Sequence, residues 1–372
     1  MRNVRDVGIG IAGYGVMGRA HAYAYTVAPH VRQLPVRPQL RLISGRDRDA
    51  VARAATVYGV EDWTTDWRDL LDRSDIEIID ICTPPGAHAE LIEAAAAAGK
   101  AVLCEKPLAV DYPSAARAVA AVEAAGVPNA IGFNYRRLPA VSLLKRMVDG
   151  GRVGDVLVVR ARWLSDEFLD PEIPFDWRFE RRVGGTTIAD LGAHLIDLAL
   201  WIVGDIAEVS AQSSTFTYER SGRSVDVDEA SSALVRFSGG QAGVLEFART
   251  CARRPCDFEF EVNGTLGTLR FDYARLNELW YGNAAEEPEL YGLRRIRAEH
   301  PDHPYAGDWW PLGQGAGYGT SFVNQVADHL ERFPDGPWEP SLETGLRVQR
   351  VCAALERAAA ERRWVRVDEV GA

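Results

Sequence analysis

Short apolar runs alternate with amphipathic stretches along the first third of the chain. Val7–Ala12 reads as a buried strand, Val16 to about Val27 as a helix, Leu40–Ser44 as a strand and Arg48–Tyr58 as a helix. This rhythm predicts parallel βαβ units, because neighbouring parallel strands need a crossover that a helix supplies. It continues with Ile76–Cys82 as a strand, Ala87–Ala98 as a helix ended by Gly99, Ala101–Cys104 as a strand, Ser114–Ala125 as a helix and Ala130–Phe133 as a strand. One doubly wound parallel sheet accounts for all of them.

After about Asn134 the pattern changes to strands of alternating polarity: Val156–Leu164, Glu208–Phe216, Ser232–Phe237, Ala242–Ala248, Phe258–Val262 and Thr268–Asp272. Hairpin-like links at Ser238-Gly239-Gly240 and Asn263-Gly264-Thr265 predict a large, open, mostly antiparallel sheet. A long helix over about Thr186–Val203 interrupts the strands, and Phe322–Phe333 and Leu342–Glu361 supply helices near the end. Two α/β domains are expected, 1–133 and 134–372. The stretch Pro301–Gly319, rich in glycine, proline and aromatics, reads as a long loop with either a binding role or a role as an oligomer-contact arm.

Bulk properties narrow the function classes. A chain of 372 residues exceeds what one core usually holds, and 47% hydrophobic with 26% charged residues is ordinary for a globular enzyme. No apolar run is long enough to span a bilayer, and the start of the chain lacks the apolar core of a signal peptide. A net charge of −11 offers no electrostatic footprint for a phosphate backbone, so a small molecule is the expected partner rather than nucleic acid or membrane. Five cysteines, an odd number, suit a reducing cytoplasm better than a disulfide framework, and Cys251 and Cys256 lack a second pair to complete a zinc site.

Gly13-Tyr14-Gly15-Val16-Met17-Gly18 lies between the first strand and the first helix, the context a dinucleotide fingerprint requires. Glycines permit the tight turn and the close backbone approach, and the helix N-terminus offers free N–H groups to a pyrophosphate. The second strand ends in Ser44-Gly45-Arg46-Asp47, where an NAD-binding sheet places an acid against the ribose. Gly45 leaves room and Arg46 supplies a planar fork of donors, a combination suited to the 2′-phosphate of NADP(H); the alternative is that Asp47 is the ribose acid and NAD(H) the cofactor. Thr83-Pro84-Pro85-Gly86 and Glu105-Lys106-Pro107 follow the third and fourth strands at their carboxyl ends, where such sheets bind ligands. Lys106 could polarise a substrate oxygen there, or merely pair with a neighbouring acid. On the long helix, Asp190, His194 and Asp197 fall at i, i+4 and i+7 and share a face, as a base with an orienting carboxylate would; an ordinary polar helix face gives the same spacing.

Taken in order, Gly13–Gly18, His21, Thr83-Pro84, His88-Ala89-Glu90, Glu105-Lys106-Pro107, Gly132–Arg136 and Asp190-Leu191-Gly192-Ala193-His194 resemble the Gfo/Idh/MocA oxidoreductases over nearly the whole chain. Phe133–Arg137, Trp177-Arg178-Phe179 and the stretch from His303 to Gly319 resemble the levoglucosan-type sugar dehydrogenases within that family. The resemblance implies a Rossmann domain, a C-terminal α/β domain with an open sheet, a substrate cleft between them and no metal. It further implies catalysis by Lys106, Asp190 and His194 on a hydroxyl-bearing carbon of a sugar or polyol, with hydride passing to or from the nicotinamide. Gly13, Tyr14, Gly15, Val16, Met17, Gly45, Arg46, Thr83, Pro84, His88, Glu105 and Lys106 are the implied cofactor contacts. Asn134, Tyr135, Trp177 and Arg178 join the catalytic residues as substrate contacts. A homodimer or homotetramer is expected. Two rivals on the same fold are a glycosidase that works by transient oxidation with a tightly held NAD, and a non-enzymatic nucleotide-binding regulator.

Overall fold

Residues 4–371 are described by the computed structural model, in which the chain forms two units, Met1–Asn134 with Gly317–Leu346 and Tyr135–Ala316 with Arg347–Ala372. The first unit begins with strands β1 (Arg5–Ala12), β2 (Val36–Ser44), β3 (Asp62–Thr64), β4 (Ile78–Ile81), β5 (Ala101–Cys104) and β6 (Asn129–Ile131). Helices α1 (Val16–Val31), α2 (Arg48–Tyr58), α3 (Asp69–Asp72), α4 (His88–Ala97) and α5 (Tyr112–Ala125) connect them. The strands pair in the order β3-β2-β1-β4-β5-β6, all in parallel. Because β1 has β2 on one side and β4 on the other, the order reverses at β1. The carboxyl ends of β1 and β4 therefore flank the crevice where open α/β sheets bind ligands. The sheet interior is almost wholly apolar, with Ile9, Ile11, Ile78, Ile79, Val102 and Ile131 at 0% exposure. Asp80, also at 0%, is a charged exception.

Tyr135–Ala316 opens with α6 (Pro139–Asp149), a helix not expected from the sequence. Next come β7 (Val156–Leu164), α7 (Ala193–Ile202), β8 (Ile206–Ser214) and the short pair β9 (Glu219–Arg220) and β10 (Arg223–Ser224). The run continues with β11 (Ala230–Phe237), β12 (Ala242–Ala248), β13 (Asp257–Gly264), β14 (Gly267–Asp272), β15 (Glu278–Asn283) and β16 (Arg294–Arg297), and β17 (Val365–Arg366) follows near the C-terminus. Nine strands form one sheet in the order β16-β15-β14-β13-β7-β12-β11-β8-β17, with β7 and β12 parallel and every other pair antiparallel. Alternation of buried and exposed residues along most of β11 and β12 gives these strands one packed face and one open face. The single helix expected over Thr186–Val203 is two pieces: a π-helical turn, Ile188–Gly192, runs into α7.

The sequence reading assigned all of 134–372 to one domain. The structure instead returns Gly317–Leu346 to the first unit, where α8 (Gly319–Arg332) packs on α1. Arg32, just after α1, pairs with Asp328 on α8 at 2.7 Å, and the backbone beyond α8 meets the sheet edge, the Pro340 carbonyl accepting the Ile131 N–H at 2.9 Å and the Leu342 N–H donating to the Asn129 side chain at 3.0 Å. Such a return is long-range and leaves no local signature. The last helix, α9, is Leu342–Glu361.

In the second unit a buried ion pair fixes the loop that follows β7. Arg220 and Glu229 are both at 0% side-chain exposure and 3.2 Å apart. Arg220 also donates to the Phe168 and Asp170 carbonyls, while Glu229 accepts the Phe216 and Thr217 N–H groups at 2.6 and 2.8 Å. The apolar cluster Phe168, Phe179, Val225 and Val227 lies in the same region, with the Arg220 guanidinium over the Phe179 ring. Removing one partner leaves the other charge buried and unanswered. Glu229→Gln is therefore expected to lower stability by about 3–5 kcal/mol in equilibrium denaturation; a loss below about 1 kcal/mol would show that the pair is not the anchor of this loop.

Candidate active site

In the first unit the glycine turn is shaped by two close approaches. Gly13 has φ +107°, and a Cβ there would lie 2.7 Å from the Cys82 carbonyl oxygen; a Cβ on Gly18 would lie 2.2 Å from the Gly13 carbonyl oxygen. Both obstacles are backbone, so only glycine fits. Gly15 caps α1 with open space around it, Val16 is exposed and Met17 is half-buried. The first N–H groups of that helix end have no intrahelical acceptor, as at any helix N-terminus.

The tip of β2 differs from the expectation in one respect. A Cβ on Gly45 would lie 2.1 Å from the ring of Tyr14, so the room that glycine leaves is taken by that ring rather than held open for a phosphate. Tyr14 is held in turn by Tyr58, whose hydroxyl donates to its carbonyl at 2.8 Å. Arg46 is exposed beside it. Asp47 is the N-cap of α2, its carboxylate accepting the Ala50 N–H at 2.9 Å.

The two loops after β4 and β5 are tied together from behind. His88 is fully buried, with Nδ1 2.8 Å from the Pro107 carbonyl and Nε2 2.8 Å from the Thr83 carbonyl. Burial holds its pKa down, so the neutral ring donates its one N–H to one of these loops and packs against the other. Thr83 Oγ1 is buried with no hydrogen-bond partner among the described residues, and Pro84 is exposed. Glu105 is buried against His21, and its second oxygen accepts the Lys106 N–H at 3.2 Å, leaving the Lys106 side chain partly exposed. A turn closed to any Cβ, an open helix end and an orphaned buried hydroxyl together fit a dinucleotide. Asn134 closes this unit, donating to Ser321 Oγ at 2.8 Å.

In the second unit Asp190 sits in the π turn and His194 in the first turn of α7. Single π turns recur at functional sites because the wider turn re-aims side chains. Asp190 Oδ2 is 3.7 Å from Arg249 Nη1 and 4.0 Å from Arg178 Nε. His194, at 5% exposure, is packed by the Tyr135 ring at 4.7 Å and the Trp163 ring at 5.3 Å between centroids. Trp177 and Arg178 form a short turn opened by Asp176, whose carboxylate accepts the Arg178 N–H at 2.7 Å; the guanidinium lies 4.6 Å from the Trp177 ring centre. The structure thus gathers Arg178 and Trp177 beside Asp190, and Tyr135 against His194. It does not leave Asp197 to them. That carboxylate is held by Arg136 at 2.6 and 2.9 Å, a buried bidentate pair in which burial lifts the Asp197 pKa against the pull of the guanidinium.

Sequence reasoning missed Arg249, Glu167 and Trp163. Arg249 is at 0% exposure, its Nη2 donating to the Gly185 and Asp228 carbonyls at 2.9 and 3.0 Å, and burial draws its pKa down. Burial, then the neighbouring Asp190 carboxylate, pushes the Glu167 pKa up. The one available signal was an arginine placed directly after the alternating strand Ala242–Ala248, and it does not separate a buried cation from a solvated one. Asp80 was missed as well, although a carboxylate inside the apolar run Ile78–Ile81 has to be paired; His21 entered only through the family resemblance.

A glycine turn at the switch point of a parallel sheet, followed in the same chain by a unit with a mixed sheet and a helix bearing Asp190 and His194 at its start, defines a two-unit oxidoreductase of the Rossmann type. Residues 7–133 match the family model described as an oxidoreductase family, NAD-binding Rossmann fold, and residues 141–270 match that of the GFO/IDH/MocA C-terminal domain. The chain belongs to the Gfo/Idh/MocA family of oxidoreductases. It is 33% identical to levoglucosan dehydrogenase of Pseudarthrobacter phenanthrenivorans over 99% of this chain and 100% of that one. Inositol 2-dehydrogenase of Rhizobium meliloti is 27% identical over 97% and 99%. Among solved structures, an oxidoreductase domain protein from Kribbella flavida superposes with a TM-score of 0.95 at 42% identity, covering 98% of this chain and all of that one. Levoglucosan dehydrogenase in complex with NADH and levoglucosan gives 0.95 at 35% identity, with the same coverage. Among the described residues no helix is long and apolar enough to cross a membrane.

Proposed function

We propose that this chain transfers a hydride between a nicotinamide dinucleotide and a secondary alcohol or ketone of a sugar, sugar derivative or polyol. The observation that carries the reading is the Asp190 and His194 pair, one in a π turn and the other in the helix it leads into, within a chain whose family binds NAD. The names of its relatives, sugar and polyol dehydrogenases, point to the same substrate class. The dinucleotide, when bound, supplies or accepts the hydride. His194 takes or returns the hydroxyl proton, Asp190 holds the reacting hydroxyl, and Lys106 stabilises charge on the carbonyl oxygen. The aromatic packing around His194 keeps it oriented, while Arg178 and Trp177 meet the rest of the sugar. His194→Ala and Lys106→Ala are each expected to lower turnover by about a hundredfold or more while leaving dinucleotide binding nearly intact. Near-wild-type turnover by both variants on a good substrate contradicts the assignment.

Arg46 favours NADP(H) in this reading. Asp47, the carboxylate that would select NAD(H), is engaged as a helix cap, and Arg46 beside it is exposed and able to pair with a 2′-phosphate. Arg46→Ala should weaken NADPH binding by about 1.5–3 kcal/mol and NADH binding much less, followed by nicotinamide fluorescence. Equal losses, or tighter binding of NADH by the wild type, reverse the preference.

The open face of the nine-stranded sheet suggests a homodimer or homotetramer. Leu234 and Val244 are paired across β11 and β12, are 52% and 38% exposed, and lie among Arg160, Arg236 and Glu246. Light scattering at micromolar protein should read a dimer or tetramer; a monomer throughout that range rules it out.

A further inference from the structure

Behind the glycine turn, within the first unit, His21 on α1 is enclosed by two carboxylates. Its Nδ1 lies 2.9 and 2.8 Å from the two oxygens of Asp80, and its Nε2 lies 3.0 Å from Glu105 Oε1. His21 and Asp80 are at 0% exposure and Glu105 at 3%. The other groups facing this cluster are Cys82, whose thiol donates to Asp80 at 3.4 Å, Cys104, whose thiol donates to the Glu105 carbonyl at 3.2 Å, Tyr25 on α1, whose hydroxyl is also hydrogen-bonded to Asp80, His88 near Glu105, kept neutral by burial, and the Phe322 ring of α8 at 5.6 Å. None of them brings a positive charge. The first unit thus buries two carboxylates whose common neighbour is one imidazole.

The chemistry of the donors decides its state. An ionised carboxylate only accepts hydrogen bonds, and a neutral imidazole has one N–H to give. With a carboxylate on each side, both ring nitrogens donate only if the ring is an imidazolium, and a buried carboxylate pair would otherwise have no counter-charge. Burial is the largest single influence and opposes that charge, but Asp80 and Cys82 together outweigh it and lift the His21 pKa well above the ordinary imidazole range. His21, Asp80 and Cys82 also have the composition of a metal site. A metal bound by both partners, at about 2.0–2.2 Å from each, would hold the nitrogen and oxygen farther apart than the observed hydrogen-bond distances.

We propose that His21 is a permanently protonated imidazolium that fixes Glu105, and through it the Lys106 backbone, to the helix opening the glycine turn. Glu105 is the link. Its Oε1 takes the His21 proton side while its Oε2 takes the Lys106 N–H, and a Cβ on Gly132 would lie 2.6 Å from Oε1, so the neighbouring strand end leaves just enough room for this carboxylate. His21 is thus a positioning residue. Its kinetic consequence rests on the role of Lys106 proposed above, whereas its charge state does not.

Two measurements on the full-length protein separate those claims. With ¹⁵N-labelled histidine, the His21 ring, assigned by its loss in His21→Gln, should show both nitrogens protonated and unchanged from about pH 6 to about pH 9. An unprotonated nitrogen, or a titration near the ordinary value, overturns the proposal, as would a stoichiometric metal in the purified protein. In kinetics, His21→Gln should lower kcat by about tenfold or more with the sugar KM changed less than about threefold, and should add little to the loss already caused by Lys106→Ala. Fully additive losses overturn the positioning role. Should Lys106→Ala itself retain turnover, the reading of the active site fails, while the nuclear magnetic resonance result still decides the state of His21.

Discussion

A charge removed from water has to be answered within hydrogen-bond reach, and in this protein the functional loops are held by such answers. Neither the loop after β4 nor that after β5 has a core of its own. Both are held from the interior, through His88 between the Thr83 and Pro107 carbonyls and through Glu105 between His21 and the Lys106 N–H. The second unit uses the same device in a different frame. Arg220 and Glu229 secure the loop that leads to Trp177 and Arg178, Arg136 and Asp197 secure α7 behind His194, and Arg249 faces Asp190 from the end of β12. Apolar packing makes the two sheets; buried polar pairs position what stands at their ends.

This division of labour commits many of the buried polar residues to other groups of the protein. His88, Glu105 and Asp197 all carry functional groups suited to chemistry, and each is spent within its own unit on another protein group. Other polar groups are the exposed helix N-terminus at Gly15, the buried Thr83 hydroxyl and the partly exposed Lys106 in the first unit, with Asp190 and Arg178 near one another in the second. A dinucleotide needs backbone N–H groups and a close approach, which glycine provides; a polyol needs a few polar side chains held rigidly against aromatic surface.

Much of the architecture was legible because period and punctuation agree with the fold. Arg48–Tyr58, Ala101–Cys104, Val156–Leu164 and Ala242–Ala248 carry apolar patterns of the correct period between clear breaks, and their limits coincide with the elements observed. Other elements were hidden by conflicting local signals. β2 starts at Val36 in spite of Pro38, and α1 runs through Pro29, because tertiary packing overrides what proline discourages. α6 and the strands Glu278–Asn283 and Arg294–Arg297 gave no decisive pattern, the last being mostly arginine on an exposed edge. Motif order singled out Asp190 and His194 as candidates, and helical spacing grouped Asp197 with them, since nothing local reveals that Arg136, distant in sequence, pairs with it. Arg249 was invisible for the same reason.

The central claim is that this arrangement moves a hydride between nicotinamide and a carbohydrate carbon. The most direct test is to incubate the purified protein with a panel of sugars, anhydrosugars and polyols, each with NAD and with NADP, and follow nicotinamide absorbance alongside product formation. The account predicts that at least one of these compounds is oxidised with one equivalent of reduced cofactor formed per molecule of ketone. Consumption of a sugar with no net change in the nicotinamide, or dinucleotide binding without turnover of any compound in either direction, would contradict it.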